Sequence, residues 1–556
     1  MPGAPTTDVP TADAGVDDVA GPAQLLAAAA AEHPDKLAVV EARGRSLTWA
    51  ELDAEVARVA TGLAAAGVVA GYRIVLVCGN RLEFVTTYLG ILRAQAVAVP
   101  LNPGSSPREV ARVVADCGAR MVVADETTIG LVREAAAAVD AALAGEHSSL
   151  ADDVPADVLE RLVKPRVVAI GTTLLPGERS YDHLRSDTAR PAPELHDAER
   201  VAALLYTSGT SGLPRAAMLS HRALAANIAQ VAAVEPPMIH GDDVVLGVLP
   251  LFHVYGLNAV LGSVLSSGAK LVLAERFDPQ GTLDLIDDEA CSVVPVAPAV
   301  FAHWRDVDLA GRLGPVRVVL SGSAPVAPEV VEEFAARTGV AVHQGYGLTE
   351  AAPVVTSTLC SEHPDPASVG APLGGIDLRL VDDSGAEIDA AAGDPGEIQV
   401  RGANLFSGYW PDGADGPDDD GWWSTGDVGF LDARGDVYLV DRVKELVIVS
   451  GFNVYPVEVE RVVAEVAGVA DVAVIGVDDE ATGEAVVAYV VATGDGSADA
   501  DALAGDVRAA CERALARFKV PSRIEVVDRL PVGVTGKVQK GRLRGLERRR
   551  ALGLLE

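Results

Sequence analysis

The sequence predicts an α/β protein in two parts: a large N-terminal domain of parallel-type sheets flanked by helices, with a smaller β subdomain, and a small α+β C-terminal domain. Its 556 residues exceed what one ordinary core organises, so two or more domains are expected. Strand and helix patterns alternate at short spacing as far as about residue 440, the signature of parallel sheets. After Asp441 the texture changes to a unit of roughly a hundred residues, an ordinary size for one domain. The boundaries drawn are a disordered tail over 1–20, an N-terminal domain over 21–441 and a C-terminal domain over 442–556.

The elements follow in order. Thr48-Trp49-Ala50-Glu51 is a capping box, and Leu52, Val56, Val59 and Leu63 then recur at helical spacing until Gly67. Arg73 to Cys78 and Ala96 to Leu101 read as buried strands, the second ended by Asn102-Pro103-Gly104. Val316 to Leu320 is a short strand running into Ser321-Gly322-Ser323-Ala324-Pro325, with a helix from about Glu329. Asp412 to Asp420 is an acidic, Gly/Pro-rich surface loop. In the C-terminal part Pro456 starts a helix with Val459, Val462, Val463 and Val466 on one face. A strand over Val469–Val477, a helix over Asp506–Arg517 and a strand over Ile524–Val527 complete it.

Composition excludes several classes. No run of eighteen apolar residues exists, so no membrane span is expected, and the Pro/Thr/Asp/Gly-rich start is not a signal peptide. A net charge of −34 argues against nucleic acid or an anionic membrane as partner. The five cysteines are scattered without metal-ligand or redox spacing, which fits free buried thiols and a cytoplasmic protein. Lysine is scarce: Lys36, Lys164, Lys270, Lys444, Lys519, Lys537 and Lys540 are all of them.

The strongest local motif is Thr207-Ser208-Gly209-Thr210-Ser211-Gly212-Leu213-Pro214-Arg215, a loop of hydroxyls and glycines after an apolar strand, closed by a cation. Such a loop can aim N–H groups and hydroxyls at phosphate, although its spacing is not that of a Walker A loop. Gln344-Gly345-Tyr346-Gly347-Leu348-Thr349-Glu350 offers glycines for a flat ligand, an aromatic face and a hard oxygen ligand suited to Mg²⁺. Trp423-Ser424-Thr425-Gly426-Asp427 reads as a turn presenting a carboxylate. Asp441-Arg442-Val443-Lys444-Glu445, Ser450-Gly451-Phe452-Asn453-Val454-Tyr455-Pro456 and the Gly536-Lys537 turn follow.

In this order, from about Leu25 to Leu543, the set resembles the adenylate-forming superfamily of acyl-CoA synthetases, peptide-synthetase adenylation domains and luciferases. The resemblance implies a C-terminal domain that is mobile, and ATP, Mg²⁺ and coenzyme A as cofactor and co-substrates. It assigns Thr207 to Gly212 and Arg215 to the β- and γ-phosphates, and Gly322, Ser323, Ala324, Pro325, Gly345, Tyr346 and Gly347 to the adenine. Thr349 would touch the α-phosphate, Glu350 would hold Mg²⁺, and Asp427 and Arg442 would bind the ribose. Lys444 would be the hinge, Lys537 the catalytic lysine of adenylation, and Ser450 and Gly451 would be among the cofactor-binding residues. The chemistry suits these types, because a carboxylate attacking a triphosphate needs cations to offset both charges. Arg215 and Ala216 depart from the common Lys-Gly of the phosphate loop, and Gly541 stands where a basic residue is common.

Pro250-Leu251-Phe252-His253-Val254-Tyr255-Gly256-Leu257-Asn258 resembles the segment bordering the acyl pocket, with His253 as a gate beside the carboxylate. No acidic residue lies between His253 and Asn258 to pair a substrate ammonium, so an acid without an α-amino group is expected. Small residues at Ala297, Ala299, Ser323, Ala351 and Ala352 are expected to wall an apolar pocket. The expected function is an ATP-dependent acid:CoA ligase acting on medium- or long-chain fatty acids. The alternatives are an aryl, coumarate-type acid, a fatty acyl-AMP ligase loading a carrier protein, or a non-catalytic nucleotide-binding paralogue. With no carrier segment after residue 543, a free-standing enzyme is expected.

Overall fold

The structure, a computed structural model, describes residues 21–551 apart from 43, 147, 149, 151–152, 190–196, 209–213, 310, 325, 327, 383–384, 389–395, 443–446, 494–499, 532–537 and 539. Two large sheets carry the N-terminal part. The first has seven strands in the spatial order Arg179–Ser180, Arg166–Ala169, Met121–Ala124, Arg73–Val77, Val97–Pro100, Val201–Ser208 and Pro214–Ser220. Its pairs are parallel except the last, where Val201–Ser208 turns back antiparallel to Pro214–Ser220. The second has nine strands, and its parallel core includes Val293–Val296, Val318–Ser321 and Val342–Gly347 side by side. The strand Val354–Ser357 reverses the direction next to Val342–Gly347. Loops leaving the carboxyl ends of these three parallel strands meet there, which is where open α/β sheets bind ligands.

The strands form where apolar β-branched residues run uninterrupted, because both faces are covered by helices. Arg73–Val77 and Met121–Ala124 are buried almost throughout. The helix Trp49–Ala65 opens on the Thr48–Glu51 capping box, with both reciprocal hydrogen bonds made, and buries Leu52, Val56, Val59 and Leu63. A four-stranded antiparallel sheet, Ile376–Val381 through Val437–Arg442, forms the smaller β subdomain.

Residues from Val447 onward build a separate five-stranded sheet. Its core of Val447, Val459, Val463, Val474, Val486, Leu503, Val507 and Leu515 is distinct from the N-terminal cores. The helix expected over Asp506–Arg517 runs instead over Ala500–Ala514, followed by a 3-10 turn at Arg517–Lys519. Pro521 ends the 3-10 turn, since the residue before a proline, Val520, is held extended. Trp423–Asp427, read as a turn, belongs to the strand Trp423–Leu431, and Gly426 at φ +75° marks an irregular pairing with Glu397–Gln399. The strand expected at Val316 starts at Val318, after the turn at 311–315. Among the five cysteines all are free; four are buried and Cys360 is half-buried. No helix among the described residues is long and apolar enough to cross a membrane.

Helix packing sets one local test. A Cβ on Gly62 would stand 1.5 Å from the Leu184 carbonyl oxygen. Gly62→Ala is expected to destabilise the N-terminal part by about 1–3 kcal/mol, read as a lower urea midpoint with unchanged slope.

Candidate active site

A single cavity of about 520 Å³ gathers residues from both large sheets, the β subdomain and the C-terminal unit. Thr207, Arg215, His253, Gly322, Ser323, Gly345, Tyr346, Gly347, Thr349, Glu350 and Asp427 all line it, positions that span more than two hundred residues of sequence. The segments Gly209 to Gly212, Pro325, Lys444 and Lys537 lie outside the described residues, as do the side chains of Ser208 and Arg442. The backbone of Arg442 pairs with Asp427 across adjacent strands. Ala324, Ser450 and Gly451 are described but do not line the cavity.

Backbone geometry explains the glycines. A Cβ on Gly347 would stand 2.1 Å from the Pro353 carbonyl oxygen, and one on Gly345 would stand 2.8 Å from that of Thr356. The chain folds back on itself here through the short turn Thr349–Ala351, and this fold-back presents Glu350. Tyr346 is almost fully buried and its hydroxyl donates to Asp427 Oδ2 at 2.7 Å. This bond fixes one oxygen of the carboxylate expected to meet a ribose and leaves the other oxygen's direction defined.

Tyr409 organises the charged side, a role the sequence motifs did not point to. Its hydroxyl donates to Glu350 Oε1 at 2.6 Å. Burial, with the Glu350 charge second, holds the phenol well above its ordinary range, so it stays a donor. On its face lies the Arg215 guanidinium, 3.8 Å from the ring centroid, which also pairs with Asp415 at 2.7 Å. Thus the arginine that replaces the expected lysine is held in place by the residue that orients Glu350. Glu350 fits a divalent cation of the Mg²⁺ type, which takes one or two carboxylates and completes its shell with substrate phosphates. No cluster of three or more acidic, His or Cys ligands occurs among the described residues.

The apolar wall comes from other elements. Residues 255–262 form a π-helical stretch, an uncommon geometry that concentrates at functional sites. Tyr255 donates its hydroxyl to the Leu320 carbonyl at 3.1 Å, and its ring packs closely over Gly322, where a Cβ would stand 3.0 Å away. Val231, Met238, Ile239, Ala259, Val260 and Ser263 complete the wall. Ala351 and Ala352, expected to be walls, are instead fully buried behind the site and do not line it. Asn258 ties this layer together by donating to the carbonyls of Leu224 and Ala352 at 3.1 and 2.6 Å. The acidic lining residues are Glu350, Asp415, Asp418 and Asp427, none of which belongs to the apolar wall.

His253 Nδ1 accepts the Tyr255 backbone N–H at 3.3 Å, which leaves the proton of the neutral ring on Nε2. Burial pushes its pKa down to about 4. The C-terminal unit reaches the same place. Phe452 stacks on Phe252 at 5.8 Å between centroids, and a Cβ on Gly451 would stand 3.3 Å from Ala297 Cβ and 3.8 Å from Ser323 Cβ. The Gly451-Phe452 turn thereby packs against Ala297, Ser323 and Phe252, and Tyr455 joins the cavity lining.

The chain matches the AMP-binding enzyme family over residues 26–410 and the AMP-binding enzyme C-terminal domain over residues 458–537. It is 34% identical over 528 residues to 4-coumarate–CoA ligase 5 of Oryza sativa subsp. japonica, covering 92% of each chain. It is 31% identical over 531 residues to a long-chain-fatty-acid–CoA ligase of Bacillus subtilis strain 168, covering 93% of each. The amide bond synthetase McbA from Marinactinospora thermotolerans superposes with a TM-score of 0.79 at 28% identity, over 95% of this chain and 99% of that one.

Two measurements test this geometry. Tyr409→Phe removes the donor to Glu350, so the KM for MgATP is expected to rise about tenfold while that for the acid stays within twofold. The depressed His253 pKa means the ring gains a proton only as pH falls toward about 4. His253→Gln is therefore expected to lower kcat yet leave the shape of the pH–rate profile between about pH 6 and 9 unchanged.

Proposed function

The chain belongs to the AMP-binding enzyme family, and on that premise we propose that it is an acid:CoA ligase, working through an acyl-adenylate. The observation that carries the reading is the convergence in one cavity of Thr207, Arg215, Thr349, Glu350 and Asp427 with an apolar wall free of acidic residues. The first group suits a nucleoside triphosphate; the second suits an acid with an uncharged body.

In the first half-reaction the acid's carboxylate attacks the α-phosphorus of ATP and pyrophosphate leaves. Lys537 offsets the negative charge that builds there, Arg215 faces the departing β- and γ-phosphates, and Thr349 holds an α-phosphate oxygen. Glu350 would hold the divalent cation, which would offset phosphate charge. Asp427, steadied by Tyr346, orients the ribose. In the second half-reaction the CoA sulfur attacks the acyl carbon, and the carbon–oxygen bond to AMP breaks. The turn at Gly451-Phe452 stands against Phe252, Ala297 and Ser323, which supports the reading that the described arrangement is the one for thiol transfer. Lys444 is the hinge for the exchange between the two arrangements, and 441/442 is the domain boundary.

The apolar wall supports a fatty acid, and a cavity of about 520 Å³ shared with a nucleotide supports medium over long chains. A second reading, an aryl acid bearing a hydroxyl, draws support from Ser263 and Ser321. Both hydroxyls are buried in residues that line the cavity and have no described hydrogen-bond partner.

The acid is tested by kcat/KM for AMP and thioester formation from acetate to palmitate, with coumarate and benzoate alongside. Each methylene buried is worth up to about 0.8 kcal/mol, so specificity climbs to medium length and then stops. Ala259→Trp is expected to shorten the preferred chain. A clear preference for coumarate would replace the fatty-acid reading and leave the adenylation chemistry standing.

The half-reactions are tested separately. Lys537→Ala is expected to abolish acid-dependent pyrophosphate exchange and spare thiol attack on supplied acyl-adenylate. Lys444→Pro is expected to do the reverse. Loss of the same step in both variants would remove the domain-alternation reading.

A further inference from the structure

Lys519 is one of the few lysines in the chain, and its ammonium is buried between the two units. Nζ lies 3.0 Å from Glu109 Oε1 and 2.9 Å from Glu458 Oε1. Glu109 belongs to the N-terminal helix Pro107–Cys117, and Glu458 to the C-terminal helix Pro456–Ala464. Arg112 brings a second cation within 3.8 Å of Glu458 Oε1, so two positive and two negative side chains share the pocket. Burial alone would lower the Lys519 pKa, but the two carboxylates outweigh it and hold the ammonium above its ordinary value. The Glu109 carboxyl is held below its ordinary value although burial opposes this, chiefly by the Lys519 charge, so this pair across the two units favours its ionised form.

Each member is fixed by its own element. Glu109 is also the third residue of a capping box, its Oε2 accepting the Ser106 N–H at 2.7 Å. Ser106 then crosses to the other unit, donating its hydroxyl to the Ala514 carbonyl at 3.1 Å. Lys519 follows Phe518, whose ring lies 4.8 Å from Phe452, and Phe452 stacks on Phe252 beside His253. Glu458 lies three residues after Tyr455, which lines the cavity. The cluster is thus joined by short rigid links to both sides of the turn that closes the site. A second ring of charges, Arg108 with Asp153 at 2.5 Å and Arg461 with Asp153 at 3.6 Å, surrounds it, with both arginines about a third exposed.

We propose that Glu109, Lys519 and Glu458 form a latch that positions the C-terminal unit for thiol transfer, and that Glu109 and Lys519 are positioning residues for that half-reaction alone. The inference rests on the acid:CoA ligase reading for its chemistry. Its physical basis is a difference between states. Glu458 and Lys519 travel together in the C-terminal unit, whereas Glu109 stays behind when that unit turns. A contact made in only one arrangement shifts the population toward that arrangement by its own differential free energy. Contacts within either unit, however strong, shift nothing.

The test uses the full chain with Glu109→Gln, which keeps an acceptor for the Ser106 N–H, and Lys519→Met. Transfer from synthetic octanoyl-AMP to CoA is followed in a single turnover, and octanoate-dependent ATP–pyrophosphate exchange is followed separately. Removing one partner of a buried ion pair is expected to slow transfer about thirtyfold and to leave exchange equal or faster. A donor–acceptor dye pair, one dye on each unit, reads the interdomain distance without any acid. It is expected to shift toward longer or broader distances in both variants. Equal losses in transfer and exchange, or an unchanged dye distance, would overturn the latch. If the unaltered chain transfers no octanoyl group, the acid reading falls, and the dye distance alone decides the latch.

Discussion

Glu350 carries a carboxylate that is only 8% exposed and is held at 2.6 Å by the Tyr409 hydroxyl. A charge so placed is tolerated only where fixed donors or cations face it. The surrounding architecture meets that need in layers. The fold-back between Val342–Gly347 and Val354–Ser357 presents the residue, and Asn404 holds the turn by donating to the Ala351 carbonyl at 2.7 Å. Tyr409 comes from the loop after the β subdomain's second strand and brings Arg215 with it through the ring face. Sheet, subdomain and the strand that carries Arg215 are therefore assembled around one oriented anion. A divalent cation carried by a phosphate-bearing ligand would complement that anion.

The same economy governs the acyl side. A helix whose hydrogen bonds are widened to the π pattern over 255–262 places Tyr255 against Gly322 and Asn258 against the Ala352 carbonyl. Asn258 thereby ties the wall of the apolar pocket to the turn that carries Glu350. A displacement of the acyl wall would be felt at the carboxylate within one side chain. This is how two chemically unlike surfaces can be kept in fixed registration, as attack of an acid on a phosphorus requires.

Much of this was legible in the sequence, and the parts that were share a property: they depend on local pattern. The capping box at Thr48, the buried strand at Arg73, the fold-back glycines and Glu350 are set by residues within a few positions of each other. What stayed hidden depends on long-range meeting. Tyr409 looks like an ordinary aromatic in a Gly/Pro-rich stretch until the loop crosses to Glu350, some sixty residues earlier in the sequence. Ala351 and Ala352 have the small size of pocket walls, but Ala352 adopts φ +64° and both side chains turn into the core. Gly426 signalled a turn, yet the strand simply absorbs it as an irregularity between Thr425 and Asp427. A positive-φ glycine means the same thing locally in both settings, and only the neighbouring strands decide between them.

The domain interface shows why charge can do what apolar packing alone cannot. The Phe252–Phe452–Phe518 stack is non-directional and would tolerate sliding by a fraction of a ring. An ammonium held by two carboxylates at 2.9 and 3.0 Å has no such freedom, because displacement leaves a buried charge without its partner. The stack makes the contact favourable, and the ion cluster fixes its register. In a protein whose net charge is −34, spending a scarce lysine at this buried boundary places a cation where two carboxylates would otherwise repel each other across the joint. Opening the joint would part Glu109 from Lys519 as well as the aromatic stack, and it would leave both cores intact because they are distinct.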